Sequence, residues 1–319
     1  MGVLNLFLVI LNDTENDLIV ILGPTASGKT QLAAHLAKVL NGEIISADSR
    51  QVYRGMDIGT GKDLHEYTID NQTIEVHLIN NKKAGEKYNI AEFQQDFLKS
   101  YDKILEKSKI PILSGGSGLY IQSVLQDFWQ TQIPNNEPLR DYLSLLSKEE
   151  IIEKVEKYKT NLSFDKSSKK RMIRALEILE YLKENTDFIP NPKKEIPFKI
   201  FGLNPSLQNR RNNISKRLKE RLENNALVNE IKTLLNNGVT SETLNYYGLE
   251  YKYVTSYILG EVNYSQMYSK LETEIHRFAK RQMTFFRSME KKGFEIDWIP
   301  ENYDLVQKLD YILKKTQNK

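Results

Sequence analysis

No cysteine occurs among the 319 residues, which excludes disulfide bonds and any chemistry that needs a thiolate. The four histidines do not form a cluster with the spacing of metal ligands, and the chain contains no internal repeat or low-complexity tract. A chain without cysteine is compatible with a reducing compartment, and we predict a cytoplasmic protein.

The sequence also has little that could enter a membrane. The apolar run near the N-terminus, Val3–Leu11, has nine residues, which is too short to cross a bilayer. It has neither the basic flank nor the small-residue cleavage site of a signal peptide. We interpret this run as an extra strand, a loose extension or a misassigned start, and we predict no membrane partner.

Neither sign of charge is in large excess, since the formal net charge is +3. A content of 40% hydrophobic and 27% charged residues is ordinary for a globular protein, and the length suggests one large or two moderate domains. Basic residues cluster in the second half of the chain, around Lys169–Arg171, Arg210–Arg211 and Lys280–Arg281. Such local patches suit a nucleic-acid partner without requiring one.

The strongest motif lies between Leu18 and Thr30. Leu18–Leu22 has the length and β-branched content of a buried parallel strand, and a helical pattern follows at residues 31–40. Between them, GPTASGKT at Gly23–Thr30 fits G-x-x-x-x-G-K-[ST] at every fixed position. Its glycines let backbone N–H groups face a phosphate, and the helix N-terminus adds partial positive charge. We expect a di- or triphosphate here, with Lys29 reaching the terminal phosphate and the Thr30 hydroxyl holding Mg²⁺.

Two further strand ends are predicted close to this loop. Glu43–Ala47 reads as a strand with Asp48 at its carboxyl end, and Lys109–Leu113 reads as a strand that leads into Ser114–Tyr120, which is rich in glycine. In open α/β sheets, ligands bind beyond the carboxyl ends of the strands. Asp48 is then either a Mg²⁺ ligand or a general base, and a helix cap or turn residue is the structural alternative.

The pattern predicts an α/β fold, with a P-loop NTPase-like parallel sheet flanked by helices and an all-helical insert domain. We place the first part of the core at 1–132, the insert at 133–190 and the return to the core at 191–319. The remaining predicted elements are a hairpin or sheet strand within 64–86, helices at Asn89–Lys107, Gln208–Asn237 and Gln266–Lys292, and a strand at Lys199–Leu203. In the last helix, the pattern alone favours a core-packed aromatic face and a solvated basic face.

The residues themselves leave the chemistry open. A phosphate loop commonly presents a γ-phosphate, as in a kinase, GTPase or ATPase. It can equally hold a diphosphate that leaves from carbon, because the same N–H groups, Lys29 and Mg²⁺ stabilise the departing charge. An acceptor would then need a base, and Asp48 is placed for that role.

Five collinear motifs resemble those of the tRNA dimethylallyltransferase family. They are GPTASGKT (Gly23–Thr30), ADSRQVYRGMDIGTGK (Ala47–Lys62), PILSGGSGLYI (Pro111–Ile121), KRMIRALEI (Lys170–Ile178) and HRFAKRQMTFFR (His276–Arg287). The resemblance covers nearly the whole chain. It implies transfer of a dimethylallyl group from dimethylallyl diphosphate to N6 of an adenosine next to the anticodon, position 37, of tRNA, with release of diphosphate.

The resemblance also implies roles for individual residues. The implied catalytic residues are Asp48 as the base, Lys29, Thr30, Ser117 and Arg217, with Thr30 holding the Mg²⁺ cofactor. The implied diphosphate-binding residues are Gly23, Pro24, Thr25, Ala26, Ser27, Gly28, Lys29, Thr30 and Arg221. Arg217 and Arg221 remain alternative candidates for the second cationic contact to diphosphate.

The implied macromolecular partner is the anticodon stem-loop of tRNA, bound by a monomer. Its contacts would come from Asp48, Ser49, Arg50, Gln51, Ser117, Lys170, Arg171, Arg174, Asn245, Gly248, Lys280, Arg281, Gln282 and Arg287. The target adenine has to leave its stacked loop to reach an active site, and phosphate contacts would supply most of the affinity.

The chain departs from the family pattern at several places. Ser117 keeps the hydroxyl where the family usually has threonine, and Asn80 stands where an acid is common. Gly248–Tyr251 replaces a Gly-Tyr-Lys-Glu turn, Gly85–Asn89 replaces another family segment, and the insert is rather short. Apart from Ser117, none of these departures touches the predicted chemical centre, so they bear on which tRNAs are accepted rather than on catalysis.

Three other functions compete with this interpretation. A P-loop small-molecule kinase would consume ATP and have no need of the basic last helix. An adenylate isopentenyltransferase would act on free AMP and have little use for the insert. A non-catalytic RNA-binding protein would not need an intact phosphate loop together with Asp48.

Overall fold

The apolar run Leu18–Leu22 forms the buried strand that the sequence predicts. The computed structural model describes residues 17–317, so the interpretations of Val3–Leu11 lie outside the described residues. Strand Leu18–Leu22 is buried along its whole length, and its residues alternate between the hydrophobic cores on the two faces of the sheet. Burial on both faces is typical of a parallel strand in a sheet covered by helices.

The described residues contain eight strands and twelve α-helices. The strands are β1 (Leu18–Leu22), β2 (Gly42–Ser46), β3 (Thr68–Ile69), β4 (Gln72–Thr73), β5 (Val76–His77), β6 (Ile110–Gly115), β7 (Phe198–Leu203) and β8 (Ile296–Ile299). The helices are α1 (Lys29–Leu40), α2 (Ile90–Glu106), α3 (Gly118–Leu125), α4 (Glu137–Ser144), α5 (Lys148–Glu156), α6 (Lys169–Glu184), α7 (Leu207–Leu222), α8 (Ala226–Asn236), α9 (Ser241–Tyr247), α10 (Leu249–Ile258), α11 (Tyr264–Lys291) and α12 (Leu305–Gln317).

Six of the strands form one sheet in the order β5-β2-β6-β1-β7-β8, with every neighbouring pair parallel. This confirms the predicted α/β class. Strands β1, β2 and β6 are neighbours, so the loops that follow them emerge at the same edge of the sheet. Strands β3 and β4 form the predicted hairpin with shorter strands, and its turn places Asp70 and Asn71 in the left-handed region.

The chain divides into two compact units. Residues 17–126 and 196–317 contain the sheet, and residues 127–195 form the second unit, which is wider at both ends than the predicted insert. The described residues of this second unit contain helices and no strand. Its core includes Leu143, Ile151, Met172 and Leu176, and the buried carboxylate of Glu177 accepts hydrogen bonds from arginine side chains.

The prediction of one continuous helix over Gln208–Asn237 is wrong, because the structure has two helices there. Helix α7 ends at Leu222 and α8 begins at Ala226, because Asn224 and Asn225 adopt left-handed backbone angles. Asparagine tolerates this conformation better than most residues. The break separates the arginines of α7 from Glu230 of α8.

Within residues 17–317, no helix has both the length and the hydropathy that a membrane crossing requires.

Candidate active site

The loops after β1, β2 and β6 meet at one cavity of about 590 Å³. Six cationic side chains and two carboxylates line it, so the cavity suits an anionic ligand. Its charged lining residues are Lys29, Arg50, Arg217, Arg221, Lys252, Arg281, Asp48 and Glu250. The other predicted site residues on its wall are Thr25, Thr30, Ser49, Gln51, Ser117, Asn245, Gly248 and Gln282.

The phosphate loop connects β1 to the N-terminus of α1, as the motif predicts. Lys29 donates a hydrogen bond from Nζ to the Pro24 carbonyl at 3.3 Å. Burial, and then the positive charge of Arg217, lower the pKa of Lys29 from 10.5 to about 8. An anion bound beside Lys29 would restore its positive charge, because opposite charges favour the ionised form. The lysine is therefore poised to respond to a phosphate.

Asp48 and Ser117 come from adjacent strands and lie on the same cavity wall. The Asp48 Oδ1 accepts the backbone N–H of Arg50 at 2.9 Å, and the Ser117 Oγ accepts that of Ser49 at 3.4 Å. A carboxylate and a hydroxyl are thus held next to each other beyond the ends of β2 and β6. Gln51, an implied tRNA contact, also bridges Ser46 Oγ and the Gly61 carbonyl with its amide.

Two arginines of α7 form the cationic side of the cavity. Arg217 pairs with Asp63, and its Nη1 lies 3.5 Å from the Thr25 hydroxyl. Arg221 lies 3.4 Å from Glu250, and its Nη2 lies 3.8 Å from Asp63. Its Nε and Nη2 are buried and have no hydrogen-bond partner in the part of the chain that the structure describes. Buried polar groups are normally hydrogen-bonded, so these two Arg221 donors mark a place for an acceptor.

The carboxylates in this network respond to the arginines in different ways. Burial disfavours ionisation of Asp63, but Arg217 and then Arg221 outweigh burial and hold its pKa below the usual value. Burial raises the pKa of Glu250 despite the nearby Arg221. Gly61 allows the arginines to approach, since a Cβ there would overlap both guanidinium groups.

The half-buried carboxylate of Glu230, which the sequence did not single out, supports the loop at residues 57–59. Glu230 accepts the backbone N–H groups of Asp57, Ile58 and Gly59 at 2.8, 2.7 and 3.0 Å, and the hydroxyl of Tyr251 at 2.8 Å. No local pattern marks Glu230, because the three backbone N–H groups that it accepts lie more than 170 residues earlier in the chain and Tyr251 lies 21 residues later. Asp63 escaped the sequence analysis for the same reason.

Two departures from the family pattern have structural partners here. Lys62 is fully buried and donates at 2.6 Å to the Tyr53 carbonyl, to Asp57 and to Asn80 Oδ1. An amide at position 80 therefore still accepts a hydrogen bond from the buried lysine. Tyr247, which directly precedes the altered turn at Gly248–Tyr251, accepts the Gly85 N–H with its hydroxyl at 2.5 Å, so the two unusual segments lie next to each other.

The long helix α11 contributes both to the core and to the cavity. Met283 and Phe286 are buried in the core, whereas Phe278 and Phe285 line the cavity. The predicted division into a core-packed face and a solvated face therefore omits a third surface, which faces the site. Gln282 is 7% exposed and hydrogen-bonds to both glycine loops, so its amide is already engaged by the protein.

The remaining predicted RNA-binding residues belong to α11 and to the second unit. Lys280 and Arg287 are exposed on α11, and Lys170 is exposed on α6. Arg171 is exposed and pairs with Asp165. Arg174 donates to the carbonyls of Gln130 and Ile133 at 2.7 and 2.6 Å, so its guanidinium braces the second unit.

No group of three or more His, Cys, Asp or Glu side chains within residues 17–317 is arranged to hold a metal ion. The hydroxyl of Thr30, at the end of the phosphate loop, lies on the cavity wall, as do Thr25 and Asp48. Such a sparse donor set fits Mg²⁺, which usually keeps several waters and binds mainly through substrate phosphates.

Known proteins resemble this chain along most of its length. Residues 51–289 match the family model described as IPP transferase. The tRNA dimethylallyltransferase 2 of Phocaeicola vulgatus is 48% identical over 305 residues, covering 95% of this chain and 98% of the relative. The tRNA dimethylallyltransferase 1 of Geotalea uraniireducens is 43% identical over 300 residues, covering 93% and 97%. The crystal structure of the full-length tRNA isopentenylpyrophosphate transferase from Bacillus halodurans is similar with a TM-score of 0.67 and 28% identity, covering 95% and 98%.

The family model matches most of the chain, and both relatives exceed 40% identity across almost all of it. The fold, the phosphate loop and the cavity agree with that match. The chain belongs to the IPP transferase family, the tRNA dimethylallyltransferases.

Proposed function

We propose that this protein transfers a dimethylallyl group from dimethylallyl diphosphate to N6 of the adenosine at position 37, next to the anticodon of tRNA. The observation that carries the proposal is the cavity, where a phosphate loop, Asp48 and a basic, aromatic helix meet. The relatives named tRNA dimethylallyltransferase support the same reaction.

The diphosphate of the donor binds at the phosphate loop, with Lys29 and Arg217 as its charged contacts. Arg221 adds two buried nitrogen donors, Nε and Nη2, that have no hydrogen-bond partner among residues 17–317. As the bond between C1 and oxygen breaks, negative charge grows on the diphosphate. Fixed cations and N–H groups in a buried site stabilise that charge more strongly than water does.

The acceptor amine attacks the C1 carbon of the donor. The N6–C1 bond forms while the C1–O bond breaks, and the N6 proton passes to Asp48. An amine conjugated with a purine is a weak nucleophile, so removal of its proton by a carboxylate assists the attack. The backbone N–H of Arg50 holds Asp48 Oδ1, which leaves the other oxygen to take the proton.

The adenosine enters the cavity after it leaves the stack of the anticodon loop. The exposed ring of Phe278 and the neighbouring Arg281, whose guanidinium lies 5.9 Å from that ring, offer a surface for base stacking. Exposed basic residues such as Lys280, Arg287 and Lys170 bind the RNA backbone, which makes the affinity salt-dependent.

The Thr30 hydroxyl would hold Mg²⁺ together with the donor diphosphate, and the ion would neutralise part of the diphosphate charge. We further infer that the protein works as a monomer, which light scattering would report as the mass of one chain. From its tRNA substrate we infer a cytoplasmic location.

The direct test is transfer of a labelled dimethylallyl group from its diphosphate into unmodified bulk tRNA with Mg²⁺. Parallel reactions contain free AMP, or ATP without the prenyl donor. Label in tRNA but not in AMP supports the proposal. Label in AMP alone would assign the activity to a free nucleotide, and turnover of ATP without label in tRNA would indicate a kinase.

A further inference from the structure

The side chain of Gln282 bridges two loops that come from different strands. Its Oε1 accepts the backbone N–H of Thr25 at 2.8 Å, and its Nε2 donates to the Gly116 carbonyl at 2.9 Å. The residue is 7% exposed, so water competes little for these bonds. The amide of α11 is thus a cross-link between the phosphate loop and the glycine loop after β6.

The chemistry of the two partners fixes the orientation of the amide. A backbone N–H can only donate and a carbonyl can only accept, so a single side chain must present an acceptor to one and a donor to the other. Glutamine does this at this length, whereas ionised glutamate lacks the donor. Gly116 is part of the fit, because a Cβ there would overlap with Gln282 Nε2.

Each end of the bridge leads to a different part of the reaction. Thr25 lies in the phosphate loop, and its hydroxyl is 3.5 Å from Arg217 Nη1. Gly116 immediately precedes Ser117, whose Oγ holds the Ser49 N–H beside Asp48. The Thr25 N–H already donates to Gln282, so Thr25 can contact the dimethylallyl diphosphate only through its hydroxyl. The hydrogen bond of the N–H instead fixes the shape of the phosphate loop.

We propose that Gln282 is a positioning residue that holds the phosphate loop at a fixed separation from the loop of Ser117. This inference rests on the proposed function, and it replaces the expectation that Gln282 contacts tRNA directly. The bridge keeps C1 of the donor in line with the acceptor amine beside Asp48. Displacements of about 1 Å at a reacting centre can cost on the order of 100-fold in rate.

Two substitutions remove the bridge from opposite ends. Gln282→Met keeps the length and the packing of the side chain but cannot form either hydrogen bond. Gly116→Ala leaves Gln282 in place and displaces its amide. Thr273→Ala is the control, since Thr273 is exposed on the same helix and lies away from the cavity wall.

The measurements separate the donor side from the RNA side. They are kcat and the KM for dimethylallyl diphosphate at saturating tRNA, the Kd for an unmodified tRNA transcript, the Kd for inorganic diphosphate with Mg²⁺, and Tm. Two lost hydrogen bonds predict a fall of about 10- to 100-fold in kcat/KM for the donor. We expect weaker diphosphate binding in both variants, a tRNA Kd within about twofold of wild type, and no effect of Thr273→Ala.

A direct RNA contact would give the opposite pattern, with a raised Kd for tRNA and an unchanged donor KM and diphosphate Kd. A role in stability alone would lower Tm and the active fraction while leaving all three affinities unchanged. Either result in Gln282→Met overturns the proposal, and Gly116→Ala decides it if Gln282→Met does not fold. The diphosphate measurement does not depend on transfer to tRNA. Failure of the wild-type protein to label tRNA would therefore refute the proposed function separately.

Discussion

Glu230 provides a strong test of how the cavity is built. Its carboxylate accepts four hydrogen bonds, three from consecutive N–H groups at residues 57–59 and one from the Tyr251 hydroxyl. Two residues further on, the Gly61 carbonyl accepts a hydrogen bond from Arg217 Nη2 at 3.3 Å. The carboxylate therefore supports the loop that holds an arginine of the diphosphate site.

The expected cost of Glu230→Ala follows from these contacts. A hydrogen bond to a charged group contributes about 1.5–3 kcal/mol, so four of them set an upper limit of about 6–12 kcal/mol. Glu230 is only half-buried, and water can reach part of the relaxed loop. We therefore expect a loss of about 2–4 kcal/mol in the free energy of unfolding, which corresponds to one or two donors left without a partner.

Glu230→Gln makes the test more specific. An amide presents an NH₂ group on one side, where at least one of the four donors needs an acceptor. We expect Glu230→Gln to lie within about 1 kcal/mol of Glu230→Ala, although the shapes of glutamate and glutamine match. Glu220→Ala is the control, because the exposed Glu220 lies 4.0 Å from Lys216 and should contribute less than about 0.5 kcal/mol.

Urea denaturation measures the free energy of unfolding of each variant. The KM for dimethylallyl diphosphate shows whether the loop at residues 57–61 still holds Arg217 in place. We expect this KM to rise about tenfold in both Glu230 variants, because the Gly61 carbonyl no longer holds Arg217 in a fixed position. A Glu230→Gln protein as stable as wild type, with an unchanged donor KM, would refute the reasoning.

Three further predictions concern other charged groups. Asp48→Asn should lower kcat by about 10²- to 10⁴-fold while the tRNA Kd stays unchanged, because a general base is lost; a kcat within threefold of wild type would contradict this assignment. Since the pKa of Lys29 is about 8, calorimetry should show proton uptake when inorganic diphosphate and Mg²⁺ bind at pH 8, and affinity should fall as the pH rises above 8. Lys29→Met should abolish both effects, and uptake that persists in this variant would assign the proton to another group. The pKa of Glu43 falls from 4.5 to about 2 because hydrogen bonds from Lys109, Lys107 and His77 outweigh its burial, so its stabilisation is complete above pH 4.5 and is lost as the pH falls towards 2. Urea titrations of Glu43→Gln should lack that acid-dependent component, and an identical pH dependence in both proteins would contradict the prediction.

Local patterns predicted the parts of the fold that local forces determine. The length and β-branched content of the apolar run Leu18–Leu22 favoured a strand buried on both faces, and the fixed glycines predicted the phosphate loop. Asn89 caps α2 through a reciprocal bond with Glu92, which explains why that helix began where the sequence placed it. These features depend on neighbours within a few residues.

The features that the sequence did not predict depend on residues that are far apart in the chain or on a local break in a regular pattern. The hydrophobic spacing continues across Asn224 and Asn225, so periodicity alone could not reveal the break between α7 and α8. Glu230 and Asp63 act on partners that are far away in the sequence, and nothing beside them in the chain marks this. Gln282 lies among basic residues that suggest RNA binding, whereas its burial depends on how α11 packs against two loops.

The most direct test of the account is nucleoside analysis of one unmodified tRNA substrate after incubation with the protein, dimethylallyl diphosphate and Mg²⁺. We expect the wild-type protein to form N6-dimethylallyladenosine at the adenosine next to the anticodon. We expect none of this product with Asp48→Asn, which still binds the tRNA. Unchanged tRNA with the wild-type protein, or equal modification by Asp48→Asn, would contradict it.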